Sequence, residues 1–365
     1  MDMRSAFIQW YFNEFHEDKL YTDMAAVSED SPWHRERNVA IHTDMVVAQY
    51  LSSTPPTWTK PDLFGALTCV FHDVGKPVSR QEKYKPERGT YYGYSGHELA
   101  SARLWEDYVV RNWSHMVEVF GLIPPDIYYV GWLVENHRPW GITKLQKLDM
   151  LARTVKSIAT PDTFAAVLYA DNWGRIGDNH EENQAKSAEW ITSFLRRCED
   201  LSPADVPNEL PVMIMPIAAS GSGKSTLQQT NAFPFDMEHY SLDLLRTKWY
   251  GDDYNVAFKR SCEDKKFISN AQREFINLLK DGKNIFVDNT NTSAKRRKFY
   301  INEARRRGYR VVAVLLPVDL QTIISRQQTR HDKEVPAEAV RRQYMNLSYP
   351  NVGDFDDIVV SGDNL

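Results

Sequence analysis

The run Ala218-Ala219-Ser220-Gly221-Ser222-Gly223-Lys224-Ser225-Thr226, set directly after the apolar hexamer Val212 to Ile217, constrains this chain more than any other feature. A short apolar segment bounded by turn residues reads as a buried strand. A glycine-spaced turn that ends in Lys-Ser between such a strand and a helix wraps its backbone N–H groups around a phosphate. Gly221 and Gly223 permit the curl, with Ser220, Ser222 and Thr226 beside them. Lys224 is placed for the β and γ oxygens and Ser225 for Mg2+. Ala218 stands where the Walker A pattern usually has its first glycine, a departure confined to the first turn. On its own the loop calls for Mg2+ with ATP or another NTP, and nothing narrower.

Further apolar runs, Asn284 to Val287 and Val311 to Leu316, alternate with helical patterns. That alternation implies an α/β parallel sheet. Ser241-Leu242-Asp243-Leu244-Leu245-Arg246 falls where the second strand should end and a helix begin. Asp243 and Arg246, at i and i+3, share a helical face. There the carboxylate suits a general base for an acceptor hydroxyl, and the guanidinium suits a bidentate grip on a neighbouring phosphate. Arg326 and Arg330, at i and i+4, suit a helical lid that stabilises charge in phosphoryl transfer. Asp288, after the 284–287 strand, is a Walker B-like candidate near the metal. The basic stretches Lys295 to Lys298 and Arg305 to Arg310 are placed either to track a phosphate backbone or to form solvated helix faces. Taken singly, each motif also fits a helix cap or a surface charge.

Together, the P-loop Lys-Ser, the Asp followed three residues later by Arg, and the lid arginine pair resemble the 5'-OH polynucleotide kinase family over about residues 212 to 350. The resemblance implies that Lys224 and Ser225 bind phosphate and Mg2+, that Asp243 is the general base and that Arg246 holds the phosphate beside the 5'-OH. Arg326 and Arg330 would contact the donor.

The first half reads as mainly helical, rich in Trp, Tyr and His, with apolar residues recurring at three and four, as in Leu63, Leu67, Val70, Phe71 and Val74. His42, the adjacent pair His72-Asp73, and Asp171 lie on separate helical segments. Imidazoles with carboxylates suit a divalent transition metal such as Mn2+, Ni2+, Co2+ or Cu2+. Lys76, four residues after His72 and so on the same helical face, is a catalytic candidate placed to meet substrate phosphate. His97 and His137 are candidates for phosphate contact or for a second metal position. Phe71-His72-Asp73-Val74-Gly75-Lys76-Pro77, with His42 and Asp171, resembles the HD phosphohydrolase superfamily over roughly 30 to 180. That resemblance implies an all-helical fold with His42, His72, Asp73 and Asp171 as metal ligands, and it places His34 near the site. Gly96-His97-Glu98 is similar to the Gly-His-Glu of HD domains attached to transfer-RNA nucleotidyltransferases, which act on 2',3'-cyclic phosphates.

At 365 residues the chain exceeds a single hydrophobic core. The proline-bearing, aperiodic stretch from Arg197 to Pro211 reads as a linker, which gives an HD-type domain at 1–204 and a P-loop kinase domain at 205–365. A net charge of -5 argues against a nucleic-acid coat protein. Three widely separated cysteines build no disulfide framework or zinc ribbon, which suits a cytoplasmic setting. No signal peptide or membrane span is expected.

The combination resembles the HD-Pnk end-healing enzymes, which implies RNA or DNA ends and an NTP as partners, with a ligase to follow. One domain would clear a 2',3'-cyclic, 2' or 3' phosphate while the other phosphorylates a 5'-OH. Two further readings stay open: a small-molecule kinase of the gluconate or shikimate type joined to an HD nucleotidase, and a nucleotide-responsive regulatory module without turnover.

Overall fold

A computed structural model of the chain describes residues 2–31, 34–86, 89–178, 180–201, 211–229, 236–329, 333 and 335–365, with Asp30 and Ser31 as backbone only. These residues divide into two compact units, Met1–Pro203 and Ala204–Leu365. The expected domain boundary at 204/205, and with it most of the expected linker, lies outside the described residues, as does Arg330.

The first unit is helical, as its periodicity implies, but it also holds two antiparallel hairpins that helical reasoning missed. β1 (Ser28–Ser31) pairs with β2 (His34–Asn38), and β3 (Gln81–Lys85) with β4 (Gly89–Gly93). Local capping sets the helices that carry the site. The Asn38 side chain accepts from Ile41 N at 2.9 Å and starts Val39–Ser53, which carries His42 in its first turn. Asp62 accepts from Thr59 N at 2.7 Å, and with Pro61 in the first turn this fixes the start of Lys60–Phe71. At the far end of that helix Phe71 is fully buried, its ring centroid 5.2 Å from Phe15, 5.0 Å from Trp105 and 5.3 Å from Tyr108. These contacts pin the point at which the chain leaves the helix, one residue before His72.

The 72–76 stretch departs from its expected form. It is not a continuous helical face: the chain turns through 72–75, and a short helix restarts at Lys76–Ser79. Gly75 explains why the turn can form. A Cβ there would lie 2.4 Å from His97 O and 2.5 Å from Ser101 N, so only glycine lets the turn sit against the helix His97–Arg111.

The second unit contains a five-stranded, wholly parallel sheet ordered β6-β7-β5-β8-β9, with β5 Val212–Ile217, β6 Glu238–Tyr240, β7 Ile285–Val287, β8 Arg310–Leu315 and β9 Asp357–Val360. β5 and β7 are buried throughout, as strands covered on both faces must be. Crossover helices link the strands, the arrangement of a P-loop NTPase fold. Among the described residues no single helix is long and apolar enough to cross a membrane.

Candidate functional site

In the first unit three histidines are held the same way. Nδ1–H of His72 donates to Cys69 O at 2.7 Å, that of His137 to Val134 O at 2.7 Å, and that of His97 to Tyr94 O at 2.8 Å. Two of these acceptors are carbonyls in the last turns of Lys60–Phe71 and Pro124–Glu135, where helical partners run out. Each ring therefore presents a bare Nε2 inward, the tautomer a metal ligand needs.

Those nitrogens converge on Asp73. Its Oδ2 lies 3.3 Å from His72 Nε2 and 3.7 Å from His42 Nε2, while its Oδ1 lies 3.1 Å from His97 Nε2 and 3.9 Å from His137 Nε2. Asp171 Oδ1 stands 3.3 Å from His42 Nε2, and His72 and His42 bring their Nε2 atoms to 3.3 Å of each other. His97 Nε2 is buried without a hydrogen-bond partner. A nitrogen lone pair facing a carboxylate oxygen repels unless a cation lies between them. The donor set therefore fits divalent ions, and two ligand groups, His42, His72, Asp73 and Asp73, His97, His137, share one carboxylate. His97 and His137, expected for phosphate contact or for a second metal position, form the second of these groups with Asp73.

The charges agree. Burial raises Asp73 and Asp171, but Lys76 with His72 outweighs it for the first, and Arg175 with His42 for the second, so both carboxyls sit well below the usual range. Burial pulls His42 down, yet Asp171 and Glu36 lift it to about 9; a bound cation would take the place of that proton. Burial, helped by His72 and His97, takes His137 down to about 3 and keeps it neutral.

Several participants were not singled out from the sequence. Glu36 Oε1 is 3.6 Å from His42 Nδ1, and Glu29 Oε1 accepts from Lys76 Nζ at 2.7 Å; both come from the unforeseen first hairpin. Lys76 also reaches Asp73 Oδ2 at 2.8 Å. Arg175 donates to Asp171 Oδ1 at 2.8 Å, an i to i+4 spacing that was visible in the sequence. His34, expected near the site, lies 3.5 Å from Glu36 Oε2 through its Nδ1.

In the second unit, Gly221 and Gly223 have φ of +94° and +95°, and a Cβ on Gly221 would meet Gln327 Nε2 at 2.6 Å. Lys224 Nζ donates to Ala219 O at 2.6 Å, which holds the loop curled. Ser225 Oγ and His239 Nε2 each contact Asp288 Oδ2 at 3.1 Å. Ser225 and Asp288 thus face each other as a Mg2+ pair would, and His239 braces the carboxylate. Burial raises Asp288, but His239 and Lys224 bring it below its ordinary value. Arg326 Nη1 lies 3.4 Å from Gly221 O, at the loop's mouth. The helix that carries it spans Leu320–Gln328.

Asp243 sits in the first turn of Leu242–Tyr250, and that helix starts beside the metal candidate because Leu242 N donates to Asn289 Oδ1 at 3.1 Å. The Asp243 carboxylate receives Arg246 Nη1 at 2.5 Å, Tyr254 Oη at 3.2 Å and the Lys333 ammonium. Burial raises its pKa, and Lys333 and then Arg246 outweigh that, leaving it low. Lys333 carried no sequence signal. The guanidinium of Arg246 lies 5.0 Å from the Phe258 ring and 5.1 Å from the Phe267 ring. In the basic stretches Arg297 is buried and donates to Asn291 O, Thr292 O and Ser348 O, a packing role, whereas Lys295, Arg296 and Lys298 are exposed.

The sheet, its phosphate loop and the facing Ser225 and Asp288 define the second unit as a P-loop domain. Consistently, the family model for an AAA domain matches residues 213–350. No curated protein matches the chain. Among solved structures, a chain of the Pnkp1/Rnl/Hen1 RNA repair complex aligns at 20% identity and a TM-score of 0.31, over 40% of this chain and 47% of that one. The match thus spans about half the length of that chain.

Proposed function

We propose that the chain is a bifunctional nucleic-acid end-healing enzyme. Its first unit acts as an HD-type, metal-dependent phosphoesterase on 2',3'-cyclic, 2' or 3' phosphates, and its second as a 5'-OH polynucleotide kinase. The observation that carries this reading is Asp73, one carboxylate set between two pairs of inward-facing imidazoles, in a chain that also bears a phosphate loop.

In the first unit His42, His72, Asp73 and Asp171 would hold one divalent transition ion, with His97 and His137 beside Asp73 for another. Such an ion supplies Lewis acidity to a phosphoryl oxygen and acidifies water. Lys76 and Arg175 keep Asp73 and Asp171 ionised, and they offer positive charge to the departing and entering phosphate oxygens. In the second unit the acceptor hydroxyl gives its proton to Asp243 as its oxygen bonds the γ-phosphorus and the bond to the β-phosphate oxygen breaks. Arg246 turns from Asp243 to the phosphate next to that hydroxyl, while Lys224 and Arg326 neutralise the donor.

Transfer of label from ATP to a 5'-OH oligonucleotide, with phosphate release from its 3' end followed in parallel, tests the reading. Asp243→Asn should cost about 10²- to 10⁴-fold in 5'-phosphorylation and spare the phosphoesterase. Asp73→Ala should do the reverse. Loss of both activities in either variant sinks the two-site picture, and label entering free sugars but not oligonucleotides would favour a small-molecule kinase.

A further inference from the structure

Asp243 and Arg246 lie on Leu242–Tyr250, yet much of what holds them comes from the neighbouring helix, Tyr254–Glu263. The Asp253 side chain starts that helix by accepting from Val256 N at 3.0 Å. Tyr254, Phe258 and Ser261 then follow at i, i+4 and i+7, a spacing that lines them up on one helical face. Each of the three meets the pair. Tyr254 Oη donates to Asp243 Oδ1 at 3.2 Å, the Phe258 ring centroid lies 5.0 Å from the guanidinium carbon, and Ser261 Oγ accepts from Arg246 Nε at 3.1 Å. Phe267, the first residue of Phe267–Lys280, brings a second ring to 5.1 Å.

Ser261 is buried, and its hydrogen is already committed: Oγ–H donates to Phe258 O at 2.7 Å, so only lone pairs remain for Arg246. A hydroxyl fixed in that way is an acceptor and nothing else. At the other end of the guanidinium Nη1 donates to Asp243 Oδ1 at 2.5 Å, and Nη2 makes no hydrogen bond among the described residues. The five N–H groups are thus divided. Nε is anchored, the rings flank the cation, and the terminal nitrogens are left to face a ligand. Two terminal N–H groups presented side by side match the two unesterified oxygens of a phosphodiester.

We propose that Phe258 and Ser261 are positioning residues that pre-set Arg246 for the phosphodiester next to the acceptor hydroxyl, an inference that rests on the kinase reading above. Nε keeps its place on Ser261 while Nη1 exchanges Asp243 for a phosphate oxygen and Nη2 takes the other. The exchange also releases Asp243 from one of its donors, so seating the phosphate and baring the base are one movement. The acceptor class follows: a hydroxyl on a strand with a charged phosphodiester beside it, not an isolated nucleoside or sugar.

The test uses the full chain with Ser261→Ala and, separately, Phe258→Leu, which keeps bulk and loses the ring. The readout is a ratio of kcat/KM values for label transfer from ATP. Its numerator is a 5'-OH dinucleotide with a phosphodiester link, and its denominator is the same dinucleotide with an uncharged methylphosphonate link. Ser261→Ala should lower this ratio about tenfold through KM, and Phe258→Leu about threefold. In an Arg246→Gln background Ser261→Ala should lower it no further, because both act through one guanidinium. An equal fall for both acceptors, or a fall undiminished in the Arg246→Gln background, overturns the proposal and leaves the helix a packing element. Calorimetric binding of the two dinucleotides reads the grip without turnover. If the wild type prefers the charged link and Ser261→Ala loses that preference, the positioning role stands even where no label is transferred, a result that would sink the kinase reading alone. No preference in the wild type, or the same preference in both proteins, rejects it.

Discussion

At the residue scale, both candidate sites depend on charges that neighbours keep in place. Asp243 is ionised at neutral pH because Lys333 and Arg246 outweigh its burial. Its folded pKa is depressed, so the base is fully available above its ordinary value and is lost only as pH falls through the lower folded one. Lys333→Met removes the largest lowering influence, so the acid limb of kinase kcat/KM should move to higher pH, and an unmoved limb would show that Asp243 is not the group titrating. Glu36→Gln should weaken metal binding about 10- to 100-fold in a Mn2+ or Zn2+ titration, since the carboxylate that orients His42 Nδ1 is gone. The reactive types announced themselves through pairing and spacing, as His72-Asp73 and Lys224-Ser225 did. Their supports did not: Glu29, Glu36 and Lys333 reach their partners across 47, 6 and 90 positions of chain, and only the fold brings them there.

At the scale of elements, β5, β7 and β8 in the second unit were legible because each is a short apolar run with a turn at its end, whereas β6, Glu-His-Tyr, is no such run and β9 was not anticipated. The hairpins of the first were not legible. β1 and β3 are polar segments, Ser-Glu-Asp-Ser and Gln-Glu-Lys-Tyr-Lys, with no apolar residues at alternate positions to mark a strand. The break at 72–75 was equally hidden, because the i to i+4 spacing of His72 and Lys76 suits a helix. Gly75 governs that break. Gly75→Ala should push the turn off His97–Arg111, cutting phosphoesterase activity and metal affinity while 5'-phosphorylation stays within twofold; parallel assays of the one preparation check it.

At the scale of the molecule, two units with separate cores should answer to separate ligands. In a thermal melt, Mn2+ should raise the unfolding temperature of the first unit and Mg2+ with an ATP analogue that of the second, with intrinsic tyrosine and tryptophan signals dominated by the aromatic-rich first unit. A single transition moved equally by both ligands would contradict independent cores. The division itself was readable in composition, since Trp, Tyr and His crowd the first half. Where donor atoms would meet in space was not, because residues from 29 to 175 converge through helix packing that no local pattern encodes.

The carboxylate that divides itself between two imidazole pairs has a thermodynamic corollary. Glu29, Glu36, Asp73 and Asp171 set four negative charges against Lys76 and Arg175, a balance of -2 with neutral imidazoles. One divalent ion brings the cluster to neutrality and a second inverts its sign. An anion then binds where none was welcome, and linkage makes the effect mutual: whatever factor the second ion lends to phosphate affinity, phosphate must lend to that ion. Substrate would therefore assemble the centre that acts on it, and inorganic phosphate should sharpen the metal titration by the same factor.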